Sequence, residues 1–332
     1  MLGLWLWYYR YMKFEDVEKA RRGYNEKRSR LRTKTVLIVV AAEIALVALF
    51  VAINIRTFQD VLQNFGSVRP MVVVPLLMAM IFLVLLPIIF VKIILAVTTR
   101  KELEQYKKAY KGYFVGRELA KNFTEIRYQH EAGLDKTVLS GTGLIDTGDR
   151  YFSNDLTTGK YKNVKFVQAD VHIEEEYKDN EGDTHYRTIF KGRFMIFELP
   201  KKFESRMMLS FAGEPVDGIN RKTGKVMRRI ETESVEFNKT FLVHAEDGME
   251  ALYILTPDFM ERVQELGRLH NNQVSVYFVD NKMIVGINDG DDVFEPPSPD
   301  RPLDEKAEAT RIAGEINLVT NIVDNLKLSR KV

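Results

Sequence analysis

The sequence contains no cysteine. That removes disulfides, thiolate metal sites and a cysteine nucleophile, and it suits a reducing compartment. It also lacks a phosphate-binding P-loop, the paired-glycine dinucleotide fingerprint and a His-Glu-x-x-His pair. The five histidines, His130, His172, His185, His244 and His270, are scattered, and none has a zinc-type partner at helical spacing. Only His172 and His185 fall where a hairpin could bring two rings together. A concentrated basic face is missing as well. Residues 122–332 carry 28 Lys and Arg against 37 Asp and Glu, a net of −9, so the whole-chain charge of +2 leaves +11 for residues 1–121. An acidic globular part argues against nucleic acid as a partner, and a basic part beside it fits anionic lipid. No catalytic residue, cofactor or metal ion is expected from these patterns.

What is present in quantity is apolar sequence. Val36 to Ile55 reads VLIVVAAEIALVALFVAINI, and at about 1.5 Å per residue these twenty residues span about 30 Å, the thickness of a bilayer hydrocarbon core. Pro70 to Val97 is longer and carries Pro75, Pro87 and Lys92, so it can tilt, kink or snorkel. The two runs predict a transmembrane hairpin. The first run starts too far in and lacks a small-residue cleavage site, so it reads as an anchor rather than a signal peptide. Residues 1–34 hold ten Lys and Arg and residues 98–121 hold seven, whereas the loop 56–69 holds Arg56 and Arg69. The bias places both termini in the cytoplasm and makes this a multi-pass membrane protein. Glu43 lies roughly 12 Å into the first span on helical rise. An ionised carboxylate is costly there, so it is the candidate intramembrane polar site, either hydrogen-bonded within the hairpin or serving an ion relay or oligomer contact. Trp5, Trp7, Tyr8, Tyr9 and Tyr11 form an aromatic start suited to a membrane interface.

The expected layout is a basic aromatic segment at 1–34, the hairpin at 35–98 with spans 36–55 and 70–97, and a helical stalk at 99–122. A soluble α+β domain follows at 123–296, mainly antiparallel strands with flanking helices, and then an amphipathic helix at 303–328. In KFVQADVHIEEEY the apolar residues Val167, Ala169, Val171 and Ile173 alternate with polar ones, and with THYRTIFKGRFMIFEL after the turn DNEGD they predict a long β-hairpin. Strands are expected at Arg206 to Phe211 and Ser234 to His244. Thr256-Pro257-Asp258 predicts an N-capped helix to about Leu269. QVSVYFV and MIVGIN predict a second hairpin. SGTG at 140–143 and TTGK at 157–160 read as turns. DVFEPPSPDRP reads as a break before the last helix.

Two acidic clusters, Glu174, Glu175, Glu176, Asp179, Glu181 and Asp183 at the hairpin tip and Asn288, Asp289, Asp291 and Asp292 after a strand, lack the twelve-residue calcium-loop pattern and read as solvated turns. In the last helix Ile312, Ile316, Val319, Val323 and Leu326 recur at spacings of four, three, four and three. Such a stripe serves either a partner or oligomer seam or packing on the chain's own domain.

Four stretches carry a resemblance: GLIDTGDRYFSNDLTTGKY at 143–161, IFKGRFMIFELPK at 189–201, SVEFNKTFLVHAEDGMEALYILTPDFMERV at 234–263 and VSVYFVDNKMIVGI at 274–287. The soluble half resembles an uncharacterised bacterial family of two-span membrane proteins, domain of unknown function 3137. The resemblance implies a bacterial inner-membrane protein and supplies no activity. The expected role is a membrane-anchored, non-enzymatic protein-binding or scaffolding module whose partners are the lipid bilayer and either another protein or a second copy. The alternatives are a membrane-associated enzyme acting on lipid or envelope precursors, and an oligomeric transport subunit using Glu43.

Overall fold

In this computed structural model the described residues are 12–53, 55–56, 59, 78, 87–142, 144–211, 218–219 and 226–328. They fall into two compact units, Lys13–Ala109 with Pro296–Leu303, and Tyr110–Glu295 with Asp304–Val332.

The first unit opens with α1, Phe14–Ile53, forty residues of continuous helix with Glu15 and Asp16 in the first turn, where they suit the positive end of the helix. The helix runs through residue 34 without interruption. Its polar half buries Val17 and Tyr24, whereas Leu37, Ile38, Ile44, Leu49 and Ile53 are exposed. No residue of its most apolar window is buried by the rest of the chain. A helix that is apolar all round and uncovered by its own fold matches lipid as its surroundings. Among the described residues it is the one helix long and apolar enough to cross a bilayer, and the following apolar helix α2, Pro87–Thr98, is shorter. One membrane anchor is therefore supported, and a two-helix hairpin is not shown. Most of the second expected span, most of the loop before it and the aromatic start at 1–11 lie outside the described residues.

The proline-dense segment is irregular, as a break requires, and it is fastened to α1. Arg21 of α1 donates to the carbonyls of Pro299 at 3.0 Å and Arg301 at 3.2 Å, and Asn25 donates to Pro299 at 2.7 Å. Arg28 grips both oxygens of Asp300 at 2.8 Å. From α3, Arg100–Tyr110, Glu102 accepts from Lys27 at 2.7 Å and Tyr106 donates to the Pro297 carbonyl at 3.1 Å. Prolines have no N–H to place in a ladder but keep their carbonyls as acceptors. The basic helix supplies the donors.

The second unit is built on a ten-stranded antiparallel sheet. After a π-helical turn at Lys111–Gly116 and α4, Arg117–Asn122, come β1 Thr124–Gln129, α5 Lys136–Ser140, β2 Arg150–Tyr161, β3 Val164–Lys178 and β4 Thr184–Glu198. Then follow β5 Met207–Phe211, β6 Gly218–Ile219, β7 Val226–Ile230, α6 Val235–Thr240, β8 Phe241–Ala245, α7 Gly248–Ile254, α8 Pro257–Leu269, β9 Val274–Val279, β10 Lys282–Ile287 and α9 Glu305–Asn325. The strand order is β1-β2-β3-β4-β10-β9-β5-β8-β7-β6. Both expected hairpins form, as β3–β4 and β9–β10, and Thr256 caps α8 by accepting from the Phe259 N–H.

Two local expectations are corrected. TTGK at 157–160 lies inside β2, where a Cβ on Gly159 would come within 2.8 Å of Ile126 and 3.0 Å of Phe166, so glycine is there for a close approach rather than a turn. Ser234 to His244 is not one strand. Ser234 caps α6 by accepting from the Phe237 N–H, and the strand starts only at Phe241. A capping hydroxyl satisfies a helix-end donor that a strand would leave to its neighbour.

Alternation along β3 and β4 gives the sheet two different faces. One is hydrophobic: Ala169, Val171, Ile173, Phe194, Ile196 and Ile284 pack with Leu134, Leu139 and Ile145. The other carries Phe166, Gln168, Asp170, Arg193 and Met195, all buried, and it is this face that Glu315 of α9 reaches. Ile312, Ile316, Val319 and Val323 have no exposed surface, and Leu326 retains 8%. The stripe is thus covered by the chain itself, as helix-on-domain packing requires.

Candidate functional site

Two features of the second unit stand apart from ordinary packing. The larger is an open cleft of about 800 Å³. Its walls come from the segment after β4 (Leu199, Phe203), from α7 and α8 (Leu252, Leu255, Met260) and from Phe278 and Leu326. Local sequence builds it: Asp247 caps α7 and Thr256 caps α8, so the two helices meet at the corner Leu255-Thr256 and turn their apolar residues inward. Several apolar side chains remain uncovered, with Tyr253 62% and Leu252 45% exposed. The rim carries both signs, Lys201, Arg262 and Lys327 beside Glu231, Glu233 and Asp258. Lys201 sits 4.2 Å over the Tyr253 ring. Asp258 accepts from Arg262 at 2.9 Å and Lys327 at 2.7 Å, and those two hydrogen bonds hold its carboxyl well below the usual carboxylate range.

The second feature is a charged cluster on the polar face of the sheet. One oxygen from each of Asp155, Asp170 and Asp292 lies within 4.8 Å of the other two. Asp155 has a positive φ of 57°, at a bulge where the β2–β3 register shifts between Asn154 and Thr157. The bulge re-aims its carboxylate, which accepts from Lys111 at 2.6 Å, from the Tyr128 hydroxyl and from Asn154 at 2.8 Å. Lys111 opens the π turn and is itself buried. Asp170 stands opposite Arg193 in the β3–β4 ladder, 3.7 Å from its Nε, and Arg193 also binds the Glu315 carboxylate at 3.0 Å. Burial raises the Asp155 carboxyl above its ordinary value against the pull of Lys111. Burial raises Asp170 further still, opposed by Arg193 and reinforced by the charges of Asp292 and Asp155.

Most residues singled out in the sequence are not brought together. Glu43 lies half-buried on α1, in the other unit. The register pairs His172 with Lys191 and His185 with Tyr177, so the two rings do not face each other, and they contact Thr188 and Asp179 instead. At the β3–β4 tip Asp179 accepts from the N–H groups of Glu181 and Asp183, and Glu175 is paired with Arg187 at 2.6 Å. Of the acidic run after β10, Asp292 joins the buried cluster. Sequence reading missed Asp155, Asp170, Lys111 and Arg193. The available signal was Gln168 and Asp170 alternating with an apolar face in a strand whose partner strand places Arg193 opposite.

Residues 188–328 match the family profile described as "Protein of unknown function (DUF3137)", which covers less than half of the chain. No curated protein matches the chain. A solved structure, "crystal structure of the mycobacterial trehalose monomycolate transport factor A, TtfA", is similar over 69% of this chain and 97% of its own at 10% identity, with a TM-score of 0.33. A likeness of that size supports no functional argument.

Proposed function

We propose that this chain is a membrane-anchored docking module that binds an amphipathic helix of a partner protein in the cleft between Leu199, Leu252 and Leu326. The observation that carries this reading is the cleft's combination of apolar walls, uncovered Tyr253 and a rim of both signs. Helix-in-groove recognition uses such surfaces, with apolar anchors every three to four residues inside and charges at the edges. An aromatic at the mouth supplies a rigid anchor at low entropic cost. An acyl chain would use the same walls, but it would have no complement for Glu231 and Glu233 beside Lys201. In this reading α1 holds the domain at the membrane, with both termini cytoplasmic, and concentrates it near partners in the same bilayer.

Photo-crosslinking tests it. A benzophenone amino acid in place of Tyr253 in the full-length protein in cells should trap one reproducible protein, with the crosslinked peptide mapping to an amphipathic helical segment. A synthetic peptide of that segment should compete in membranes, and Leu252→Glu should abolish the adduct. Recovery of lipid adducts alone, or a protein adduct that neither the peptide nor Leu252→Glu diminishes, would overturn the proposal.

A further inference from the structure

We propose that Asp155, Asp170 and Asp292 form a binding site for one hard divalent cation of the calcium or magnesium type. Three carboxylates in proximity are not a site on that ground alone, and the deciding observation concerns unmet acceptors. Asp170, 5% exposed, has its Oδ2 without a hydrogen-bond partner, and Oδ1 of Asp292 is likewise unpartnered. Neighbouring carboxylates with unpartnered oxygens need a shared proton or a cation between them. Gln168, 1% exposed and two residues from Asp170 on the same face of β3, likewise has neither amide atom hydrogen-bonded.

Charge supports a divalent ion over a proton. When all four are ionised, Asp155, Asp170, Asp292 and Glu315 carry four negative charges, and among the described residues their ion pairs and Asn154 link them to two cations, Lys111 and Arg193. That leaves a surplus of two negative charges, which one divalent cation neutralises and one shared proton does not. Geometry agrees. Oxygens on opposite sides of a calcium ion stand about 4.6–5.2 Å apart and around magnesium about 4.0–4.2 Å, so a set confined within 4.8 Å accommodates either. All the donors are oxygens, as these cations require, with no imidazole or thiolate to favour zinc. Bound there, the ion would tie β2, β3 and the segment after β10 to one another, and through Arg193 to α9.

The full-length protein, purified in detergent and stripped with EDTA, should be titrated calorimetrically with CaCl₂ and separately with MgCl₂. The expected result is saturable one-site binding of at least one of them with an upward shift of the thermal midpoint. Binding should be lost in Asp170→Asn and in Asp292→Asn, and retained in Asp179→Asn at the exposed hairpin tip. Asp292 is less buried than Asp155 and Asp170, so its variant is the safer one for folding, and far-UV circular dichroism in EDTA should match the parent. The absence of saturable binding with both salts would overturn the site. So would binding that survives Asp292→Asn in a folded variant, or binding that depends on Asp179.

Discussion

Arg193 of β4 holds Glu315 of α9 twice, donating to its backbone carbonyl at 3.0 Å and to its carboxylate at 3.0 Å. The guanidinium is almost wholly buried and also faces Asp170. That arginine therefore joins the last helix to the polar face of the sheet.

Removing that guanidinium leaves the buried carboxylate of Asp170 uncompensated. Arg193→Met should destabilise the protein by about 3–5 kcal/mol, the cost of breaking a buried pair by deleting one partner. Adding Asp170→Asn to Arg193→Met should recover part of the loss, since no isolated charge then remains. Urea denaturation of the parent, both single variants and the double variant measures the coupling, and strictly additive losses would show that the two side chains do not interact.

The Asp170 carboxyl has a raised folded-state pKa, so the native state holds this proton more tightly than the unfolded chain does. The sign is opposite to that of an ordinary ion-paired aspartate. Between the raised value and the ordinary 3.8, stability gains from this group as pH falls and loses as pH rises. Asparagine cannot titrate. In EDTA, Asp170→Asn should therefore gain on the parent at neutral pH and lose that advantage as pH falls toward 5. Parallel melting curves from pH 5 to 8 would show it, and a gap that widens on acidification would contradict the assignment.

Gly192 marks a close approach in the sheet. A Cβ there would lie 1.9 Å from the backbone oxygen of Ile287 and 3.2 Å from the Asp289 carboxylate. Gly192→Ala should force β4 and β10 apart beside Arg193 and cost about 1–3 kcal/mol or more. Gly182→Ala at the hairpin tip, where the space is open but φ is +89°, should strain only the local turn. Comparing the two thermal midpoints separates steric crowding in the ladder from backbone strain.

Membrane topology is directly testable because every introduced cysteine is unique. If the proposed orientation, with both termini cytoplasmic, and the expected two-span layout hold, a membrane-impermeant thiol reagent applied to intact cells should modify Gln63→Cys and spare Ser329→Cys. The reverse labelling would refute the orientation, and protection of both would refute the two-span layout.

Elements with a strong local signature were legible from sequence. The alternation of Val167, Ala169, Val171 and Ile173 yields β3, Thr256-Pro257-Asp258 yields the start of α8, and QVSVYFV with MIVGIN yields β9–β10. Periodicity, caps and turn residues act over a few positions, so a short window contains the whole cause. β2 was less legible. Its bulge at Asp155 and its Gly159 resemble turn residues when read locally, and only pairing with β1 and β3 makes them strand.

By itself, the sequence determined that residues from Val36 onward form an apolar helix of bilayer length, that the mass following it is acidic and α+β, and that the last helix has one apolar stripe. Those follow from composition and period, which are properties of neighbours in the chain. Tertiary structure decided that the stripe is covered by the chain itself, that the proline-dense segment is strapped to α1, and that Lys111, Asp155, Asp170, Arg193, Asp292 and Glu315 meet. Those six residues come from a π turn, three strands, a loop and a helix, spread over some two hundred residues. Each is unremarkable where it stands in the chain. They meet only because the fold removes water from charges that then have only one another to answer.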